Sequence, residues 1–211
     1  KNYLFGVREK IHIFDLVKTK EGLEEGAAFA KASASQGKAI VFIGTKRQSR
    51  SIIEQQAKRA GAFYVIQRWI GGTITNWKQI KKSLDKLSEM KEKREKGEYK
   101  KYTKKEQLLL DREINHLGKF FGGLVGLDRA PEGLFIVDVK KEDAAVREAV
   151  LKEIPVLGLV DSDSNPLMID YVIPANDDAV GSIKFIVEKI ADAVKEGKGI
   201  YEKSKSKPNK D

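Results

Sequence analysis

Residues 134–149 read LFIVDVKKEDAAVREA, and this stretch decides the fold class. The run at 134–138 is apolar without alternation, which is typical of a strand covered on both faces of a parallel sheet. Residues 141–152 then repeat alanine and valine at helical spacing, and Pro155 follows. A buried strand that leads into an amphipathic helix is half of a βαβ unit, so the stretch predicts an α/β fold.

The same alternation continues on both sides of this stretch. Five further apolar runs predict strands: 11–14, 39–44, 156–160 and, with weaker patterns, 63–66 and 171–173. Three further helical patterns separate them: 20–36, 47–60 and 178–196. Gly61 and Gly197 are the predicted stops of the last two helices. The predicted body is therefore a mostly parallel sheet sandwiched by helices.

Residues 76–121 break this rhythm with two amphipathic patterns, separated by a turn that contains Gly97. Thr103 and Glu106 have the spacing of a capping box, which predicts the start of the second helix. The apolar seams are narrow: Ile80, Leu84, Leu87 and Lys91 in the first pattern, and Leu110, Ile114, Leu117 and Phe121 in the second. Such seams predict an inserted, antiparallel coiled-coil hairpin.

The predicted domain organisation follows from these patterns. One discontinuous α/β domain comprises residues 1–75 and 122–196, and the hairpin insertion comprises residues 76–121. Residues 197–211 are too polar to pack and are predicted to be a disordered basic tail.

Charge and composition narrow the class of protein. The formal net charge is +9, and residues 76–105 carry twelve Lys or Arg against five acids. A near-neutral body with basic appendages favours a polyanionic partner over a merely solvated helix face. The chain has no cysteine and two histidines, which excludes disulfides and thiolate or histidine-built zinc sites. No apolar stretch reaches eighteen residues, so neither a transmembrane helix nor a membrane partner is predicted.

The first candidate binding segment is VFIGTKRQSR at 41–50, a strand, a glycine turn and a helix start. Such a turn aims backbone amides at phosphate. We therefore predict that Lys46, Arg47 and Arg50 contact RNA phosphates. The segment is neither a Walker loop nor a GxGxxG turn, because the required glycines are absent.

The second candidate is RWIGGTITNW at 68–77, which contains both tryptophans of the chain. A rigid loop here would present Arg68 and backbone amides to a sugar-phosphate ridge. Either Asn76 or Thr75 is expected to cap the helix that follows. In the alternative interpretation the tryptophans attach the hairpin to the body. The predicted RNA-binding residues of this region are Arg68, Trp69, Thr73, Asn76, Lys78, Lys81 and Lys82.

In contrast to the two basic segments, the segment at 160–183 is acidic. Asp161 follows a strand there, and Asp177 and Asp178 precede the last helix. If the strand end and the helix start are neighbours, these three carboxylates could bind a divalent cation through oxygen. The alternative role is helix capping and turn formation. No serine or cysteine nucleophile pairs with a histidine in the sequence, so no catalytic residue is predicted.

Six collinear stretches resemble one known family, the bacterial ribosomal protein S2 family of the small subunit. They are YLFGVREKIHIFDLVKT at 3–19, VFIGTKRQ at 41–48, RWIGGTITNW at 68–77, LFIVDVKKEDAAVREA at 134–149, IPVLGLVDSDSNP at 154–166 and IPANDDAVGSI at 173–183. The resemblance implies a Rossmann-like domain with a protruding hairpin, placed on the small subunit between head and body and in contact with its ribosomal RNA.

The resemblance also implies partners and a location. Neighbouring small-subunit proteins, including ribosomal protein S1, are implied partners, and no small-molecule substrate is. The location would be the cytoplasmic ribosome. No cofactor is required, and a divalent cation, Mg or Zn, is associated with the acidic cluster at Asp161, Asp177 and Asp178. The resemblance further implies an N-terminal helix ahead of the segment at 3–19, and docking of S1 is expected to depend on that helix.

Two other classes of function stay open at this point. The first is a nucleotide- or phosphate-binding enzyme of doubly wound α/β fold, working at residues 44–47. The second is a protein–protein adaptor whose hairpin docks another coiled coil.

Overall fold

A computed structural model describes residues 3–8 and 11–205 and contains two sheets. The strands are β1 (Leu4–Arg8), β2 (Ile11–Phe14), β3 (Ile40–Ile43), β4 (Phe63–Val65), β5 (Gly133–Val137), β6 (Val156–Val160) and β7 (Tyr171–Pro174). The helices are α1 (Leu16–Ser35), α2 (Arg50–Ala60), α3 (Trp77–Glu95), α4 (Lys104–Phe121), α5 (Asp143–Leu151) and α6 (Val180–Lys205).

The main sheet is parallel throughout, in the order β4-β3-β5-β6-β7. The first strand of this sheet, β3, lies inside it: β4 is added on one side of β3, and β5, β6 and β7 are added on the other side. The direction of strand addition therefore reverses between β3 and β5. This is the doubly wound, Rossmann-like α/β arrangement that the sequence predicts. Loops after neighbouring strands meet at one carboxyl edge of such a sheet, and this edge contains the candidate site.

Each face of the sheet has its own apolar core because strand side chains alternate between the faces. On one face, residues such as Phe42, Phe135 and Leu157 pack with α1, α2 and α6. On the other face, residues such as Val41 and Ile136 pack with α5 and with the buried side of α3 and α4. The base of the hairpin therefore shares its core with the α/β body. The domain boundaries given above stay a prediction.

Helices α3 and α4 form an antiparallel hairpin. Arg94 pairs with Asp111 at 3.0 Å, and Lys86, earlier in α3, pairs with Glu113, later in α4. The capping box of Thr103 and Glu106 is present. Supercoiling of the two helices stays a prediction. The fourth buried position of the α3 seam is Met90 and not Lys91, which is exposed.

Two sequence-based expectations are wrong in detail. The strand at 11–14 lies outside the main sheet, because it pairs antiparallel with β1 in a two-stranded ribbon. Helix α6 also does not stop at Gly197, so residues 197–205 are helical and not a disordered tail. Gly197 is buried against the Lys31 carbonyl of α1, where its missing side chain permits close approach. The remainder of the predicted tail, 206–211, lies outside the described residues.

Within the described ranges, no helix combines the length and the low polarity needed to cross a bilayer.

The contact between α1 and β7 generates a stability prediction. A Cβ atom at Gly22 would lie within 3.0 Å of the Val172 carbonyl oxygen, which is backbone and cannot move alone. We expect Gly22→Ala to lower the free energy of unfolding by about 1–3 kcal/mol, since overpacking outweighs the gain in helix propensity. Chemical denaturation measures the change.

Gly199→Ala in α6 is the matched control, because nothing lies within 4 Å of a Cβ atom at Gly199. That substitution should raise stability by about 0.5–1 kcal/mol through helix propensity alone. Equal effects of the two variants would show that the α1–β7 contact is not a close one.

Candidate nucleic-acid interface

The carboxyl edge of the main sheet is electrostatically polarised. On the β4–β3 side, the loops that follow the strands contain Arg68 and Arg47, and both side chains are exposed. On the β5–β7 side, the corresponding positions are Asp138, Asp161 and Asp177. A cationic half and an anionic half therefore lie next to each other on one edge.

The loop at 68–76 is held by a carboxylate that the sequence analysis does not single out. Glu148 of α5 accepts hydrogen bonds from the Trp69 indole at 3.2 Å and from the Gly72 amide at 2.7 Å through one oxygen. Its other oxygen accepts from the amide of Ile74 at 3.0 Å and from both the amide and the hydroxyl of Thr75 at 3.1 Å. One side chain thus satisfies five donors of a single loop.

The hydrogen bonds fix the charge of Glu148 as well as the loop. Partial burial works to raise the pKa of Glu148, but the amide and indole donors outweigh it, and the net direction is downward. Donors aimed at a carboxylate favour its ionised form. Glu148 is therefore charged at neutral pH, and the loop is rigid because its donors point at that charge.

This geometry revises the predicted contacts of the loop. Trp69 and Thr73 are buried, with 4% and 1% of their surface exposed, and the Thr73 hydroxyl donates to the Ile70 carbonyl. Their side chains therefore support the loop and are not available to RNA in this arrangement. The amides of residues 72–76 also have acceptors within the protein, so they are not free to bind phosphate. Asn76 is exposed, and neither Asn76 nor Thr75 caps α3 through its side chain.

Lys46 extends from the β3–α2 loop into the acidic half of the edge. Its ammonium lies 2.6 Å from Asp177, 2.5 Å from Asp178 and 3.7 Å from Asp138. Asp138 adopts a left-handed backbone conformation (φ 67°) directly after β5. Lys46 therefore joins the loops that follow β3, β5 and β7. It is not a free cation as the sequence-based prediction assumed, because its charge is already shared among carboxylates.

The pKa values in this cluster follow from an excess of acid. Desolvation lowers the pKa of Lys46, but the hydrogen bonds with Asp177 and Asp178 outweigh it, and the net direction is upward. Burial raises the pKa of Asp177 to about 6, and the Asp138 and Asp161 carboxylates push it in the same direction. One ammonium cannot compensate four neighbouring carboxylates, so the cluster favours uptake of a proton as the pH falls.

The acidic cluster does not fit a divalent cation in this arrangement. The Asp161 carboxylate accepts from the Asp177 amide at 3.0 Å, and the Lys46 ammonium lies against Asp177 and Asp178. Among the described residues, no group of three or more acidic or histidine side chains is arranged to hold a metal ion. Binding of Mg or Zn at Asp161, Asp177 and Asp178 would require Lys46 to leave, and it stays a prediction.

The remaining predicted RNA-binding residues divide into two groups. Arg50 is half-buried and donates to the Thr45 carbonyl at 2.9 Å, and Lys81 is held by Asp85 and Asp128. The other four cations are exposed and have no hydrogen-bond or ion-pair partner among the described residues: Arg47, Arg68, Lys78 and Lys82. The second group is the free basic set of this interface.

The arrangement of this edge defines a class of protein. It is a doubly wound α/β protein whose switch-point edge is filled by its own ion pairs, with free cations beside it. At the same edge the Ser162 hydroxyl lies 2.9 Å from Nδ1 of His12, and the Thr45 hydroxyl donates to the buried Glu142 carboxylate.

Comparison with known proteins specifies the family. Residues 1–197 match the family described as Ribosomal protein S2. The chain is 47% identical over 203 residues to the small ribosomal subunit protein uS2 of Dictyoglomus thermophilum, covering 96% of this chain and 82% of that protein. It is 49% identical over 196 residues to uS2 of Roseiflexus castenholzii, covering 93% and 74%. The chain belongs to the ribosomal protein S2 family, which confirms the predicted ribosomal, non-enzymatic class.

The role of Glu148 generates a prediction with a defined pH dependence. In Glu148→Gln an amide NH₂ group replaces one acceptor oxygen opposite several donors, so we expect a loss of about 1–3 kcal/mol of unfolding free energy at pH 7. Because folding lowers the pKa of Glu148, its stabilisation is present above the ordinary value of 4.5 and is lost as the pH falls through the folded value. The difference between wild type and variant should therefore shrink in acid.

Asp143→Asn is the control for Glu148→Gln, because Asp143 is on the same helix but forms only an exposed pair with Arg147. It should leave stability nearly unchanged. Amide hydrogen exchange at Gly72, Ile74 and Thr75 provides a local measurement. Unchanged protection in Glu148→Gln would contradict the proposed rigidity of the loop.

The Lys46 cluster generates a second prediction. Lys46→Met leaves the Asp177 carboxylate buried without its counter-ion, so we expect a loss of about 3 kcal/mol at pH 8. With Lys46 present the folded pKa of Asp177 is about 6, and Lys46 is a group that lowers it. Removing Lys46 therefore adds a cost of ionising Asp177 that grows as the pH rises above about 6. The loss should therefore be smaller at pH 5 than at pH 8, which denaturation at the two pH values measures. Lys58→Met, at an exposed pair with Glu54, should show no such pH dependence.

Proposed function

We propose that the chain binds ribosomal RNA of the small subunit through the free basic set, as a structural component with no bond-making step. The observation that supports this most directly is that the four cations of this set are exposed and have no partner in the described part of the chain. In contrast, Asp177 and Asp178 of the same edge are paired with Lys46. Unpaired cations on a rigid support are what a ribose-phosphate surface requires, because the salt bridges are not already satisfied within the protein.

Preorganisation of the cations comes from the elements that carry them. Arg68 begins the loop that Glu148 holds, and Lys78 and Lys82 lie on the first turns of α3, which starts directly after that loop. Arg47 follows β3, the neighbour of β4 in the sheet. A loop and a helix start fixed in this way lose little conformational freedom on binding, which favours recognition of folded RNA by shape.

The same geometry supports RNA over the nucleotide-using enzyme considered above. In that alternative, Lys46 would meet a phosphate next to the glycine turn. Here the ammonium of Lys46 is paired with Asp177 and Asp178, and Asp138 lies 3.7 Å away. A free phosphate at this point would face several carboxylates, and like charges at this range oppose binding.

The finer features that the family resemblance implies belong to the same proposal. They are a position between the head and the body of the subunit and the docking of ribosomal protein S1. Membership of the S2 family supports a structural role in the small subunit.

A salt titration tests RNA binding quantitatively. We expect the variant Arg47→Gln/Arg68→Gln/Lys78→Gln/Lys82→Gln to bind small-subunit ribosomal RNA more weakly at low salt. The slope of log K against log salt should decrease by about 0.7–0.9 for each lost phosphate contact. Filter binding at a series of potassium chloride concentrations measures both quantities.

A second quadruple variant carries the same change of charge but removes lysines that already have acidic partners on α1, α2 and α6: Lys20, Lys31, Lys58 and Lys184. Binding and salt slope should stay close to those of the wild type. If both variants lose affinity equally, the interaction depends only on net charge and the proposed basic surface is wrong.

A further inference from the structure

The free end of the hairpin has an exposed apolar surface that RNA binding does not explain. Leu108 and Leu109 lie one turn into α4 and are 52% and 53% exposed. Tyr102, just before the helix, is 42% exposed. Leu109 and Tyr102 line one cleft of about 490 Å³, together with Tyr99 and Leu110. We define these five residues as the tip patch.

The tip patch is not a by-product of helix packing. The seam between α3 and α4 is filled by residues such as Met90 and Ile114, both buried, and Leu110 is already half-buried against it. Leu108 and Leu109 do not belong to that core cluster. Single exposed leucines are ordinary, but adjacent leucines beside an exposed tyrosine and a cleft mark a contact surface.

The charges around the tip patch are one-sided. Lys104, Lys105 and Arg112 lie three or four residues from Leu108 or Leu109, on the same side of the helix, and these cations are exposed and unpaired among the described residues.

Three of the neighbouring acids on α4 are occupied, in contrast to the cations. Glu106 accepts from the Thr103 amide and hydroxyl at 2.9 and 2.8 Å. Asp111 pairs with Arg94 at 3.0 Å, and Glu113 pairs with Lys86. Glu98 has no such partner among the described residues, but Lys93 and Lys101 line the same cleft. The balance of unpaired charge around the apolar patch is therefore positive: Lys104, Lys105 and Arg112 against Glu98.

We propose that the tip patch docks an acidic, amphipathic segment of another protein, with apolar side chains at helical spacing that cover Leu108, Leu109 and Tyr102. Such a segment complements both the apolar centre and the cationic border. RNA complements only the border, because a phosphate backbone would leave both leucines in water. The hairpin thus has two separate partners, with RNA at its base and protein at its tip.

Site-directed cross-linking in the assembled particle tests this proposal. The chain contains no cysteine, so Leu109→Cys creates a unique thiol that can carry a benzophenone. After incorporation into small ribosomal subunits and irradiation, we expect an adduct with a protein that survives ribonuclease. Mass spectrometry should place the adduct in a segment with acidic residues around apolar residues spaced three or four apart. Ser88→Cys, at an exposed position of α3 on the same hairpin, is the control and should not give this adduct.

The charge requirement is tested separately. Lys104→Glu/Lys105→Glu, added to Leu109→Cys, should lower the yield of that adduct by about tenfold, since reversed border charges repel an acidic partner. An adduct that ribonuclease removes, or a protein adduct in a segment without excess acid, would overturn the proposal. Particles that carry Leu109→Cys but give no adduct would also overturn it. Co-sedimentation of the variant with the particle is scored independently, so failure at the tip is distinguishable from failure of the proposed RNA binding.

Discussion

The geometry of the proposed interface depends on the hydrogen bonds that the Glu148 carboxylate accepts from the loop at 68–76. This carboxylate connects α5, which belongs to the sheet core, with the loop at 68–76 and therefore with the start of α3. Without an acceptor at this point, buried or half-buried amides and an indole would lose their partners, which is costly inside a protein. Arg68 and the base of the hairpin are fixed in space because this single side chain satisfies the loop between them.

The carboxyl edge of the sheet is held together by the protein's own charges. In enzymes of this architecture, the switch point is where a cofactor binds. Here the place is filled by Lys46, whose ammonium joins loops from β3, β5 and β7. An internal counter-ion stabilises the edge and also removes the positive charge that a nucleotide phosphate would need. The exposed, unpaired cations Arg47 and Arg68 of the described chain lie beside the switch point.

The hairpin also combines internally paired charges with exposed, unpaired cations. At its base, Ile80 and Leu84 are buried in the core that also contains Trp69 and Ile74. Along its length, ion pairs such as Arg94 with Asp111 use much of the acidic charge internally. The cations in excess are left on the surface. Because much of the acidic charge is paired within the hairpin, the unpaired groups at its surface are mostly basic and can contact partners.

The sequence by itself determined the fold class, the order of the six helices and of the five main-sheet strands along the chain, and the capping box at Thr103, because these depend on local periodicity and short-range hydrogen bonds. It did not indicate β1. Only the tertiary structure decided which cations are free. Lys46 and Arg47 are adjacent in sequence, yet one is neutralised by acids about 130 residues away and the other is exposed. Glu148 escaped prediction for the same reason, since its partners lie more than 70 residues away. The sequence contains only indirect evidence for Glu148. The loop at 68–76 has many hydrogen-bond donors and no acidic residue, so it requires an acceptor from another part of the chain.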